Sequence, residues 1–271
     1  MTAEPVDVLG VLFQRLTRRE AAAEIARLAG EDARTYVVKP YSEFMPRAHG
    51  DERVRAILNG AAMRLADGAG ILWAASYLSL PGGRLRAFLQ FPLSLASLVL
   101  RPSALRRPLP EAMAGVDLTW EMLGALAESG RSVYLLGGTA DEAAGAAKAI
   151  RERLPSLTIT GARDGYFRSS DTEAVIEAIN AAPTDVLLVA MGFPRQEEWI
   201  AENLPRLNLR VAVAEGGSFS FISGATARAP SWMRRVGLEW LFRLLRQPSR
   251  LRRQLALPVF VWLVLRQRLG A

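Results

Sequence analysis

The chain has 271 residues, half of them hydrophobic, which suffices for one large α/β domain or two small ones. It has no cysteine and a single histidine, so disulfides, thiolate metal sites and histidine-rich metal sites are excluded. The net charge is +7, but residues 225–271 carry +9 and residues 84–110 carry +5, leaving −7 on the rest. An acidic body therefore bears two basic segments suited to a polyanion.

The opening MTAEPVDVLG lacks the basic-then-apolar layout of a signal peptide, from which a cytoplasmic protein is expected. Residues 7–14 read as a first strand. Thr17-Arg18-Arg19-Glu20 has the spacing of a capping box and opens a predicted helix over Arg18–Leu28. A second strand is expected over residues 34–39. A helix is expected over residues 51–66, with apolar spacing at Val54, Ile57, Leu58, Ala61 and Leu65. Asp67-Gly68 would end it, glycine taking the left-handed conformation. His49, the lone histidine, is expected on a loop or the surface.

Residues 84–110 form a basic, proline-containing insert. Its apolar run Phe88–Leu100 and a second run, Leu255–Leu265, are bounded by arginine, and each is too short to span a bilayer. Trp232, Trp240, Phe242 and Trp262 lie among the arginines of the tail. Aromatics beside arginine suit the headgroup level of an anionic membrane surface. Two core helices with solvated charged faces are the plainer reading, and single-stranded nucleic acid a third; the membrane surface fits the amphipathic basic pattern best.

From Gly115 on, strands are expected over residues 131–138, 157–161, 185–192 and 209–214. Helices are expected over residues 141–154, Thr172–Asn180 and 196–204. Short apolar strands alternating with amphipathic helices imply a Rossmann-like parallel sheet with helices on both faces, followed by a basic amphipathic helical C-terminal appendage. The organisation is an N-terminal α/β portion carrying Asp67 (1–83), the insert (84–110), a Rossmann-like portion (111–224) and a membrane-associating appendage (225–271). Trp199, Leu135 and Val189 are expected in the core.

Such sheets bind ligands beyond the carboxyl ends of their strands. There the sequence places Gly137-Gly138, Asp164-Gly165-Tyr166-Phe167, Gly192-Phe193-Pro194-Arg195-Gln196 and Glu215-Gly216-Gly217. No dinucleotide glycine motif, P-loop or Asp-x-Asp metal clamp is present. The glycines before helices, Gly137-Gly138 and Gly192, are expected to offer backbone N–H groups to a phosphate. Asp67 is the foremost candidate carboxylate. Its rivals are Glu215 and the pair Glu197 and Glu198, first-turn acids that would serve the helix dipole.

Several motifs, in order, resemble the WecG/TagA/CpsF glycosyltransferases (glycosyltransferase family 26). They are Ala66-Asp67-Gly68-Ala69-Gly70-Ile71, Tyr134-Leu135-Leu136-Gly137-Gly138, Asp164-Gly165-Tyr166-Phe167 and Met191-Gly192-Phe193-Pro194-Arg195-Gln196-Glu197-Glu198-Trp199-Ile200. Glu215-Gly216-Gly217-Ser218-Phe219, Arg228-Ala229-Pro230 and Gly237-Leu238-Glu239-Trp240-Leu241-Phe242-Arg243-Leu244, followed by Pro248 and Arg250, complete the series.

The resemblance implies a metal-independent, inverting transferase without cofactor. It would move an N-acetylmannosamine-type amino sugar from UDP to a polyprenyl-diphosphate-linked sugar, as a peripheral protein at the cytoplasmic face of the plasma membrane. It makes Asp67 the base and places Gln196 in the active site. Gly137, Gly138, Gly165, Tyr166, Gly192, Pro194, Glu197, Arg228, Arg243 and Arg250 are the implied substrate-binding residues, with Lys39 and Tyr41 added from their place in the sequence beside the site. The partners implied are the UDP-sugar, the lipid-diphosphate acceptor and an anionic membrane, with no nucleic acid; self-association is left open.

The chain departs from the family pattern at Lys39-Pro40-Tyr41 (usually Thr-x-Asn), at Ala112 (usually arginine) and at Ser220 (usually aspartate). Lys39 could supply a charge near the site. The departures keep a second reading in view, a catalytically altered relative that binds nucleotide sugar or lipid as a scaffold.

Overall fold

The computed structural model describes residues 4–113, 115–228, 230, 233, 242, 244 and 251–270. A six-stranded, all-parallel sheet forms its centre. Its strands are β3 (Thr35–Val38), β4 (Met63–Arg64), β5 (Ser132–Gly137), β6 (Thr158–Arg163), β7 (Val186–Ala190) and β8 (Val211–Ala214), in the order β4-β3-β8-β7-β5-β6. β3 and β4 come from the N-terminal portion and pair with β8 through β3, so residues 1–83 and 111–224 share one sheet.

Alternation along each strand sends successive side chains to opposite faces. On one face Val37, Val133, Leu135, Val186, Leu188, Val211 and Val213 pack under α1 (Arg18–Leu28), α6 (Gly115–Glu128), α7 (Ala140–Arg153) and α10 (Ser218–Ile222). On the other face lie Tyr36, Val38, Tyr134, Leu136, Leu187, Val189, Ala212 and Ala214. That face is covered by α3 (Glu52–Gly60), α4 (Ala69–Leu78), α8 (Thr172–Asn180), α9 (Arg195–Asn203) and the C-terminal helix α12 (Ala256–Leu269). Each fully buried Leu, Val or Ile contributes roughly 1.5–3 kcal/mol. Trp199, Leu135 and Val189 are buried, as expected.

α1 begins at the predicted capping box, with Thr17 and Glu20 each bonded to the other's backbone N–H. Two expectations are corrected. Residues 7–14 form a hairpin, β1 (Val6–Val8) and β2 (Val11–Phe13), because Leu9 and Gly10 both take positive φ, 54° and 83°. The Asp7 carboxylate accepts from Gly10 N–H, and Gln267 of α12 accepts from Leu9 N–H, which holds the turn. The helix expected over residues 51–66 ends at Gly60, and the chain then enters β4 beside β3. His49 is exposed, in the last turn of α2 (Met45–Gly50).

The insert is a 17-residue helix, α5 (Arg84–Leu100), followed by a short 3-10 turn, Pro102–Leu105. It packs on α4 and α12. Of the C-terminal appendage, the helices described are α11 (Leu251–Gln254) and α12. No helix among the described residues is long and apolar enough to cross a membrane.

Candidate functional site

The carboxyl ends of β4, β3, β8 and β7 bring the candidate residues to one edge. Asp67 lies just past β4. Leu65 N–H donates to Val38 O and Asp67 N–H to Pro40 O, so the chain stays alongside β3 and bridges Tyr41. Gly68, at φ 82°, then turns it into α4. Asp67 thus sits on a strand-to-helix turn at the ligand edge, rather than on a turn that ends a helix. Its Oδ2 is 4.0 Å from the point a β-carbon would occupy at Gly115, so the first residue of α6 borders the carboxylate. Met113 N–H donates to Ala66 O and fixes that approach.

Gln196 is a buried bracket between two loops. Its Oε1 accepts from Gly192 N–H (3.1 Å) and Gly216 N–H (3.0 Å), joining the ends of β7 and β8. Its Nε2 donates to Glu197 Oε1 at 2.8 Å. Glu197 is buried, and its Oε2 has no hydrogen-bond partner among the described residues. Burial pushes its carboxyl up to about 7, with Gln196 and Lys39 partly opposing that rise. Burial, not a helix dipole on an exposed first turn, therefore governs this acid. Glu198 instead lies 3.7 Å from Arg47.

A folded-state carboxyl raised above its unfolded value of 4.5 favours the fold below pH 4.5, and that contribution is lost as pH rises through 7. Glu197→Gln is therefore expected to gain stability over the parent by up to about 3 kcal/mol at pH 8 and by little at pH 4. Urea unfolding at the two pH values checks this; an equal difference at both would remove Glu197 as the cause.

Lys39 and Glu215 follow the adjacent strands β3 and β8. Both are buried, with Lys39 Nζ 2.8 Å from Glu215 Oε2, which also accepts from Thr119 Oγ1 on α6 at 2.6 Å. The charge expected from Lys39 is thus spent on Glu215, and the pair is neutral toward the site. A few residues on, Phe44 meets both Tyr41 and Phe193, with ring centroids 3.7 and 3.6 Å apart. Pro194 follows Phe193 and is the residue from which α9 starts.

Two of the glycine N–H groups expected to face a phosphate have partners within the fold. Gly138 N–H donates to Ala190 O, Gly165 N–H to Gly138 O and Gly192 N–H to Gln196. The N-terminus of α7 carries its own capping box, Thr139 with Glu142, which engages the N–H groups of those two residues, and Glu142 Oε1 also accepts from Ser220. Gly137 is required for packing, since a β-carbon there would lie 2.4 Å from Ala190 O. Gly165 follows β6, the strand at the other end of the sheet from β4, but the chain there folds back onto β5 and β7: a β-carbon at Gly165 would lie 2.8 Å from Met191 Cγ and 2.9 Å from Gly137 Cα. Tyr166, the next residue, is exposed.

Arg228 holds Asp117, in the first turn of α6, its two terminal guanidinium nitrogens donating to Asp117 Oδ1 and Oδ2 at 2.6 and 3.2 Å. With Arg18, Trp120, Arg153 and Phe221 it lines an open cleft of about 430 Å³. Arg243 and Arg250 lie outside the described residues. No group of three or more metal-ligating side chains occurs among the described residues. Sequence reasoning missed the Lys39–Glu215 pairing, Thr119 and the Phe44–Phe193 stack. The usable signal was a lone lysine and a lone glutamate, each following an apolar strand.

The fold defines an α/β protein built on a six-stranded parallel sheet, with the candidate residues gathered at the carboxyl ends of its strands. Residues 6–90 and 86–271 match the glycosyl transferase WecG/TagA/CpsF family in two stretches that meet within α5, and the chain belongs to that family. A Bacillus spizizenii protein named N-acetylglucosaminyldiphosphoundecaprenol N-acetyl-beta-D-mannosaminyltransferase is 28% identical over 266 residues, covering 98% of this chain and 92% of that protein. A Staphylococcus aureus protein of the same name is 27% identical over 259 residues, covering 95% and 91%. A Bacillus subtilis protein, also so named, is 35% identical over 159 residues, covering 59% and 61%.

Proposed function

We propose that the chain is a metal-independent inverting transferase. It moves an N-acetylmannosamine-type sugar from UDP to a sugar carried on a polyprenyl diphosphate, at the cytoplasmic face of the plasma membrane. The observation that carries this reading is Asp67, presented at the ligand edge beside Gly115 in a family whose relatives are named for that transfer. In a single displacement Asp67 takes the proton from the acceptor hydroxyl as its oxygen bonds to the sugar's anomeric carbon. The bond from that carbon to UDP breaks, and the diphosphate leaves with the electron pair.

That diphosphate needs cations or N–H donors. Lys39 is neutralised by Glu215 and Arg228 is paired with Asp117, so the task falls to the tail arginines Arg243 and Arg250, joined by Arg228 where it leaves Asp117 for the diphosphate. Gln196 serves by holding the β7 and β8 loops together, with Glu197 beside it.

The experiment is a panel of UDP-sugars with a lipid-diphosphate acceptor, read as UDP release with and without chelator. Acceptor-dependent release with a UDP-linked amino sugar, unaffected by EDTA, is expected. Complete loss with EDTA would overturn the metal-free mechanism. The neutral Lys39–Glu215 pair and the serine at position 220 favour the scaffold reading as second, and turnover with any UDP-sugar dismisses it.

A further inference from the structure

Twelve large hydrophobic side chains are exposed among the described residues, and ten of them lie on α5, α11, α12 or the linking Leu255. On α5 the inward face is Ala87, Phe91, Leu95 and Leu98. The opposite face carries Leu85, Phe88, Leu89, Leu93, Val99 and Leu100, which are 58–76% exposed. α5 is thus apolar on both faces, which a helix in water is not. The neighbouring α12 repeats the pattern: Phe260, Leu263 and Val264 are buried, while Val259 and Trp262 are exposed.

Charge narrows the occupant. Arg84 and Arg86 at one end of α5 and Arg101, Arg106 and Arg107 beyond the other are all exposed, and residues 84–110 contain no acid. An apolar face with cations at both ends fits a surface that is hydrocarbon inside and anionic at the rim.

The face is also tied to the catalytic edge. α4 begins directly after Gly68 and carries Trp73 and Tyr77. Both rings pack with Phe91 of α5, and Trp73 also meets Phe260 of α12. Trp73 Nε1 donates to Ser94 Oγ at 3.3 Å, and Tyr77 OH to Ala87 O at 2.9 Å. Arg268 of α12 donates to Leu80 O and to Gly82 O, bracing the turn between α4 and α5. α4 thus links Asp67 directly to the platform, with Phe260 of α12 3.8 Å from the point a β-carbon would occupy at Gly70.

We infer that α5, braced by α12, is an in-plane docking helix for an anionic phospholipid bilayer and sets the height of Asp67 above it. This role rests on the reading that the acceptor is lipid-borne. The outer side chains enter the headgroup–acyl boundary, the flanking arginines meet lipid phosphate, and α4 transmits the position to the site.

The test uses the full chain with the apolar-face substitutions Phe88→Ser, Leu89→Ser and Leu93→Ser combined, and separately Arg84→Gln, Arg86→Gln and Arg101→Gln combined. Flotation is measured on phosphatidylcholine vesicles with and without phosphatidylglycerol, and thermal melting checks the fold. The serine variant should melt like the parent and bind mixed vesicles at least about tenfold less. The glutamine variant should lose binding only where phosphatidylglycerol is present. Unchanged flotation of the serine variant overturns the inference. So does a parent dimer that the serine variant converts to monomer without loss of flotation, since a second copy then covers the face. Vesicle binding that falls as expected, with no UDP-sugar turned over, supports the docking face and sinks the activity instead.

Discussion

Asp67→Asn is expected to lower kcat by about 10²–10⁴-fold, the range contributed by a positioned general base. Asparagine keeps the shape and an acceptor oxygen at the same place but cannot take the acceptor's proton. The backbone contacts that seat residue 67, from its N–H to Pro40 O and from Met113 N–H to Ala66 O, do not involve the carboxylate. Those contacts should keep residue 67 in place in the variant, and thermal melting checks that the fold is retained. KM for the donor should change little, because the lost interaction belongs to the transition state. Initial rates of UDP release over a range of donor and acceptor concentrations separate the two constants. A variant that keeps more than about a tenth of the parent's kcat removes Asp67 from the role of base.

Where local rules and tertiary packing agree, the elements were legible. The capping box at Thr17 and the helix Thr172–Asn180 were readable residue by residue, and the apolar strands β5, β7 and β8 announced a parallel sheet. The error over residues 51–66 has a definite cause. Val54, Leu58, Ala61 and Leu65 keep helical spacing, yet Leu65 packs in the core on the opposite side of the sheet from the other three. Only a break into a strand can do that, and no single-helix pattern contains the information. The first hairpin was hidden for another reason: a leucine holds a left-handed turn, supported by Gln267 from the far end of the chain.

The site was legible in its parts and not in its pairings. Asp67, Gln196 and the strand-end glycines were named from motifs. That Gln196 clamps two loops, that Glu142 caps the α7 N-terminus and that Lys39 meets Glu215 all depend on strand order or on the exact cap. β3 and β8 lie far apart in the chain and become neighbours only in the sheet.

The second large effect follows from that last pairing. Lys39→Met should destabilise the fold by about 3–5 kcal/mol, because Glu215 is left as a buried charge without its counterion. Thr119 Oγ1 can offset little, since one hydroxyl proton serves either Glu215 Oε2 or Gly115 O. Combining Lys39→Met with Glu215→Leu should recover most of the loss, as apolar groups of similar volume replace buried ion pairs at little cost. Urea midpoints at constant m-value, arranged as a double-mutant cycle, measure the coupling. A single variant within about 1 kcal/mol of the parent would mean that the charges are not desolvated. The double variant also decides what Lys39 does for the reaction. If it folds and turns over donor at the parent's rate, the pair is a strut tying β3, β8 and α6 together, and the leaving diphosphate is met by arginine alone. If it folds and is inactive, Lys39 exchanges Glu215 for the diphosphate when donor binds, and the neutral pair is its resting state.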